Sequence, residues 1–290
     1  GVEFNQNTYI SNKLVVPDRV KIKDDESLST EVLKIYATNV GRLIWILPTQ
    51  LRSAFEISQL ARRRTNAKGK DFHRLRVLIV SIRESPQSIF LPRLGRGPLK
   101  TIGIVDAGGG EPVSPPLKQR DQQCLLILIS EATPPGTPGR AGIIHFSSTG
   151  IVRVCHSSFD IESVAGVSCL DVLLNVNRLL GDSELGTCPH FRETEKRLQW
   201  ESKLCSTELH SDANSFVKVC RSGTAHILNR RRASDIEDVR QSLVKRDLSC
   251  IIHCNGISNP CDSGTKNFAK CVQGQESLSK IMIEGLYSPD

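Results

Sequence analysis

Residues 99–107, LKTIGIVDA, decide how this chain is read. Aliphatic and β-branched residues dominate the stretch, so it reads as a short strand. A carboxylate, Asp106, stands near its end and is followed by Ala107 and three glycines, 108–110. A charged group in so apolar a run is hard to explain by structure alone, because burying an unpaired carboxylate is costly. Working outward, QCLLILISEA (123–132) is a second strand and TPPGTPG (133–139) a turn. AGIIHFSS (141–148) and GIVRVCHSS (150–158) read as two further strands, which together predict an antiparallel meander. Residues 159–180 form a long amphipathic helix, and residues 193–204 are expected to form another. CSTELHSDANSFVKVC (205–220) reads as a strand turning into a helix at Asp212. Residues 234–246 are a helix with Ser234 as cap and Glu237 completing a capping box. LSCIIHCNG (248–256) is a strand, and the last helix is expected to open at Asp262.

Upstream the pattern is helical. Residues 29–47 carry Leu33, Val40, Leu43, Ile44 and Leu47 at helical spacing behind a Ser29 or Thr30 cap, and Pro48 ends them. Residues 51–64 and 71–83 read as two more helices. Pro86, Pro92 and Pro98, with Gly95 and Gly97, punctuate a linker-like stretch. The expected division is a helical module with its linker at 1–98, an α/β domain at 99–275 and a tail at 276–290.

The chain has 290 residues, 39% hydrophobic and 24% charged, a balance that suits a folded chain with a real core rather than a disordered one. No apolar run reaches the ~18 residues of a membrane helix, so no membrane partner is expected. The opening GVEFNQNTYISN has neither the basic start nor the apolar stretch of a secretion signal. The ten cysteines are irregularly spaced, and several lie in apolar segments, which reads as free thiols in a reducing intracellular compartment. Neither CPH (188–190) nor CIIHC (250–254) offers the paired knuckles of a zinc site.

Charge is unevenly spread. Residues 1–100 hold 18 Lys and Arg against 9 Asp and Glu, a net of +9, whereas the remainder holds 20 against 22, a net of −2. The density peaks at Arg62, Arg63, Arg64, Lys68, Lys70, Arg74 and Arg76. Such a cluster is either a solvated helix face or a contact surface for nucleic-acid phosphates.

Four carboxylates stand at telling places: Asp106 at a strand end, Glu162 in the first turn of the long helix, Asp212 at the next strand end and Asp262 at the last helix start. Asp160 rivals Glu162 on the same turn, and Asp212 and Asp262 also suit helix caps. Carboxylates converging in this way are what two Mg²⁺ ions about 4 Å apart require to activate water at a phosphodiester.

Six stretches in this order resemble the end of an LTR-retrotransposon polyprotein, from the last part of reverse transcriptase through ribonuclease H. They are GRLIWILPTQLRSAFEISQLA (41–61), GIVDAGGG (103–110), HSSFDIESVAGVSCLD (156–171), ELHSDANSF (208–216), RRRASDIEDVRQSL (230–243) and NPCDSGTK (259–266). The chain departs from that pattern at Leu51-Arg52-Ser53, at the glycines after Asp106 and in the long segment 181–207, and it lacks a polymerase palm. The resemblance implies a ribonuclease H-like α/β fold, a five-stranded mixed sheet flanked by helices and preceded by a small helical module. It implies Asp106, Glu162, Asp212 and Asp262 as catalytic, metal-binding carboxylates for two Mg²⁺, with His226 as a candidate for product release. Two functions follow. One is an enzyme that hydrolyses the RNA strand of RNA–DNA hybrids. The other is a domesticated, non-catalytic subunit that binds structured RNA among the other subunits of a ribonucleoprotein, such as an organellar ribosome. A transposase or integrase is disfavoured, because those enzymes place their Glu on a late helix.

Overall fold

The computed structural model describes residues 1–95, 98–108, 121–185, 206–222, 230–267 and 270–289. The decisive stretch forms β3 (Leu99–Gly108), which lies at the centre of the sheet. It pairs antiparallel with β4 (Gln122–Glu131), and β4 pairs antiparallel with β5 (Gly139–Gly150). The other edge of β3 receives β6 (Ser206–Ser211) in parallel, with β7 (Cys250–His253) parallel beyond it. Parallel neighbours need a long crossover, and α5 (Ser158–Leu185) lies on the path from β5 to β6. A two-residue strand, β8 (Leu286–Tyr287), closes the far side of β5, so the order is β7-β6-β3-β4-β5-β8. The chain thus has the expected α/β class: a mixed sheet of five main strands flanked by helices, with a helical module before it.

Both faces of the sheet are covered, which explains why β3 and β4 are apolar without alternation. On one face Val105, Leu125, Ile127 and Leu209 pack against Ala165, Cys169 and Leu173 of α5 and against Phe216 of α6 (Asn214–Arg221). α7 (Arg230–Lys245) adds Ile236 and Val239 to the same core. On the other face Ile102, Ile104, Leu126 and Leu128 meet Leu278, Ile281 and Met282. These three belong to α9 (Val272–Glu284), which follows the one-turn α8 (Asp262–Thr265). At 25 cal/mol per Å², each fully buried Leu or Ile contributes roughly 2 kcal/mol.

The first part of the chain has its own core. Tyr36, Val40 and Leu43 of α2 (Thr30–Ile46), Ile57 and Leu60 of α3 (Ala54–Arg62), and Phe72, Leu75 and Ile79 of α4 (Gly69–Glu84) are all buried together. α1 (Asn7–Lys13) adds Ile10, and Ser29 caps α2 by accepting from the Val32 N–H at 3.4 Å. Among the described residues, no strand of the main sheet comes from 29–83.

Several expectations are corrected. GIVRVCHSS is not a strand. The β4–β5 ladder ends at Gln122 opposite Gly150, so the following residues have no strand partner among the described residues, and Val152 and Val154 point to solvent. The linker-like stretch contains β2 (Ser88–Leu91), which pairs with β1 (Val2–Asn5), while Ile89 enters the core under the sheet. The boundary expected at 275 falls inside α9. α7 begins one turn before Ser234, and α8 ends at Thr265, so Asp262 does not open a long final helix. The expected helix at 193–204, the CPH triplet and His226 lie outside the described residues.

Candidate metal centre

Asp106 enters the site from the centre of the sheet. Its Cα lies opposite Cys124 of β4, and the residue is 2% exposed. Glu162 comes from the first turn and a half of α5, and Asp212 follows the end of β6. One carboxylate oxygen from each of these three residues lies within 4.8 Å of the other two. This is the separation at which carboxylates ligate a common hard cation.

Structure also separates Glu162 from its rival. Asp160 accepts from the His156 N–H at 3.0 Å and faces Arg232 at 3.7 Å, so it serves the start of α5. Glu162 turns inward, and its Oε2 is buried without any hydrogen-bond donor. An unpartnered buried carboxylate oxygen among two more carboxylates fits a divalent cation in its ligand chemistry. Asp212 does not cap α6 with its side chain; the Ala213 N–H donates instead to Ser211 Oγ at 3.1 Å.

Asp262 is placed differently. It shares a hydrogen bond with Asp106 but is not one of the three mutually close carboxylates. Lys266 Nζ donates to its Oδ1 at 2.5 Å. Supporting groups that the sequence did not nominate surround the site. Thr265 Oγ1 donates to Asp106 Oδ2. Asn259 donates to the Val105 carbonyl at 3.3 Å and hydrogen-bonds Asp212. α8 reaches this position because Gly264 has no side chain: a Cβ there would collide with Cys124 Sγ.

The electrostatics follow from burial and crowding. Burial, and then the charges of Asp106 and Asp212, push the Glu162 carboxyl up to about 9. Burial and Asp106 push Asp262 up to about 7, with Lys266 opposing. Asp212 is raised by burial and by Asp106. For Lys266, burial works against the ammonium, but Asp106, Asp262 and Asp212 outweigh it and raise its pKa. Like charges at such range disfavour one another's ionised form, and a bound cation removes that cost.

The basic cluster is not a freely solvated face. Arg63 meets buried Asp71 at 3.4 Å, Arg74 meets Glu56 at 2.6 Å, and Arg76 donates to the Pro17 carbonyl. Arg62 donates to Gln122 Oε1 and to the Asp121 carbonyl at the end of β4. It passes over Gly150, where a Cβ would collide with the guanidinium. Gln122 also donates to Ser58 of α3 at 3.0 Å, so the helical module is fastened to the sheet two residues from Cys124, the partner of Asp106. Arg64 is exposed, and Lys68 and Lys70 are half-buried.

No family model and no curated protein matches the chain. Among solved structures it is similar to LC11-RNase H1, isolated from compost and determined with an RNA/DNA hybrid, at 14% identity and a TM-score of 0.34 over 55% of this chain and 88% of that one. It is similar to RNase H1 of the archaeon Halobacterium salinarum at 13% identity and a TM-score of 0.33, over 59% and 97%. It is also similar to the RNase H domain of prototype foamy virus at 11% identity and a TM-score of 0.35, over 65% and 95%.

Proposed function

We propose that this chain is a divalent-metal-dependent nuclease that hydrolyses the RNA strand of RNA–DNA hybrids. The observation that carries the reading is Glu162, whose Oε2 is buried with no donor and which offers a carboxylate oxygen within ligand range of Asp106 and Asp212. Such a group is costly in a protein that never binds a cation there. A reading as an inert RNA-binding subunit of a ribonucleoprotein gives no account of it.

Mg²⁺, when bound, would supply the charge that activates a water and stabilises a departing phosphodiester oxygen. Asp106, Glu162 and Asp212 would hold it, and Asp262 is the carboxylate at hand for a second ion. The rest is the work of side chains. Thr265 fixes one oxygen of Asp106. Asn259 ties Asp212 to the carbonyl at the base of the site. Glu162 carries a proton at neutral pH in the free protein and must lose it to become a ligand. Arg62 anchors the helical module beside the site, so that Arg64, Lys68 and Lys70 are available to phosphates of a bound duplex. On this reading the origin is a retroelement, and residues 1–98 serve as the duplex-holding module of the domain that follows.

The test is cleavage of an end-labelled RNA–DNA hybrid with Mg²⁺. Wild type is expected to leave 3′-hydroxyl and 5′-phosphate ends in the RNA strand only, and Asp212→Asn to be inert while folded. A wild-type protein that binds hybrid yet cleaves with neither Mg²⁺ nor Mn²⁺ would overturn the reading.

A further inference from the structure

Three of the four nominated carboxylates converge, while the fourth is already answered by a cation of the protein's own. Lys266 lies one turn beyond Asp262 and donates to its Oδ1 at 2.5 Å. Asp262 itself hydrogen-bonds Asp106, one member of the trio that leaves Glu162 Oε2 open, so the ammonium is held on the carboxylate that borders that trio. Asp106 and Asp212 also act on it electrostatically. A divalent ion using Asp262 and Asp106 together would need the same ground, and an ammonium and a dication in one carboxylate pocket repel each other.

We propose that Lys266 is a tethered cation standing at the second metal position, so that the free protein takes up one divalent ion, on Asp106, Glu162 and Asp212. The inference rests on the metal-binding reading above. The side chain is also built to leave. Lys266 follows the end of α8 in extended conformation (φ −127°, ψ 153°), outside the helix, and its side chain is 38% exposed where that of Asp262 is 8%. The four-carbon stem can swing the ammonium to solvent or to a substrate phosphate without moving the carboxylate. The second ion is then admitted only when the ammonium leaves, and Lys266 decides the order in which the site is filled.

The experiment counts ions. Mn²⁺ binding to the full chain is followed by calorimetry and by the electron paramagnetic resonance signal of free Mn²⁺, for wild type, Lys266→Met and Lys266→Arg. Wild type and Lys266→Arg are expected to bind one ion and Lys266→Met two, with Asp262→Asn in the Lys266→Met background returning the count to one. Two ions of comparable affinity in wild type would overturn the proposal. So would a Lys266→Met protein that binds one ion more tightly but never a second, since that outcome makes Lys266 an ordinary ion-pair partner. No binding by wild type or by Lys266→Met would instead defeat the metal-site reading itself. Far-UV circular dichroism checks folding, and Lys266→Gln replaces the Met variant if that one fails to fold.

Discussion

Replacing Glu162 by Gln should stabilise the metal-free protein, by an amount that grows with pH. The cause is linkage between protonation and folding. Glu162 has a carboxyl pKa raised from 4.5 to about 9 by burial and by the charges of Asp106 and Asp212. Between those values the unfolded chain has lost the proton and the folded chain keeps it. Folded stability therefore falls as pH rises, the reverse of the usual salt-bridged carboxylate. The loss is about 1.4 kcal/mol per pH unit, hence under about 1 kcal/mol at pH 5 and up to about 4 kcal/mol at pH 7.5. Glutamine has no such proton to lose. Urea unfolding in EDTA should show the stability difference between Glu162→Gln and wild type widening by up to about 3 kcal/mol from pH 5 to pH 7.5. Using the difference between two pH values cancels any packing change the amide introduces. Saturating Mg²⁺ should shrink the difference at pH 7.5, since an ion at a hundred times its Kd adds about 2.7 kcal/mol to wild type. A difference that stays constant with pH, or that shrinks as pH rises, would refute the reasoning.

Metal binding at pH 7.5 should release protons, most of them from Glu162, and calorimetry in buffers of different ionisation enthalpy reads their number; binding without proton release would show Glu162 to be already ionised. Lys100→Met should cost about 3–5 kcal/mol, because it strands Glu208, which is buried against Lys100 at 3.0 Å and His210 at 2.9 Å; a loss below about 1 kcal/mol in thermal unfolding would show the network to be dispensable. Gly264→Ala should force α8 off β4 and away from Asp106, costing about 1–3 kcal/mol and weakening Mn²⁺ binding together, whereas an unchanged metal affinity would uncouple α8 from the site. Replacing Arg64, Lys68 and Lys70 together by Ala should flatten the salt dependence of hybrid binding by roughly 0.7–0.9 for each phosphate no longer neutralised, and an unchanged slope would make them an ordinary surface.

What the sequence discloses depends on the kind of signal. Asp106 is legible because a carboxylate in an apolar strand has no cheap structural use. Glu162 is legible only with the helical phase in hand, since Asp160 lies two residues away and structure alone shows that it is spent on His156 and Arg232. Thr265, Asn259 and Lys266 lie within the stretch 259–266, but nothing in it singles them out as site residues. They are ordinary polar residues whose role comes from a one-turn helix brought against β4 by Gly264. The basic cluster misleads in the opposite direction: counting charges finds Arg62, Arg63, Arg74 and Arg76 but not Gln122, Asp71, Glu56 and the Pro17 carbonyl that engage them. Residues 151–157 alternate like a strand, yet the ladder that would hold them ends at Gln122. The pairing of β1 with β2 joins residues more than eighty positions apart, a separation that local pattern does not encode.

The central claim is that Asp106, Glu162 and Asp212 form a cation site, and anomalous scattering from crystals soaked in Mn²⁺ tests it most directly. An anomalous peak is expected within ligand distance of one oxygen from each of the three carboxylates, and is expected to disappear in Asp106→Asn crystals. Well-ordered crystals with Mn²⁺ bound elsewhere on the surface and none between these three carboxylates would contradict it.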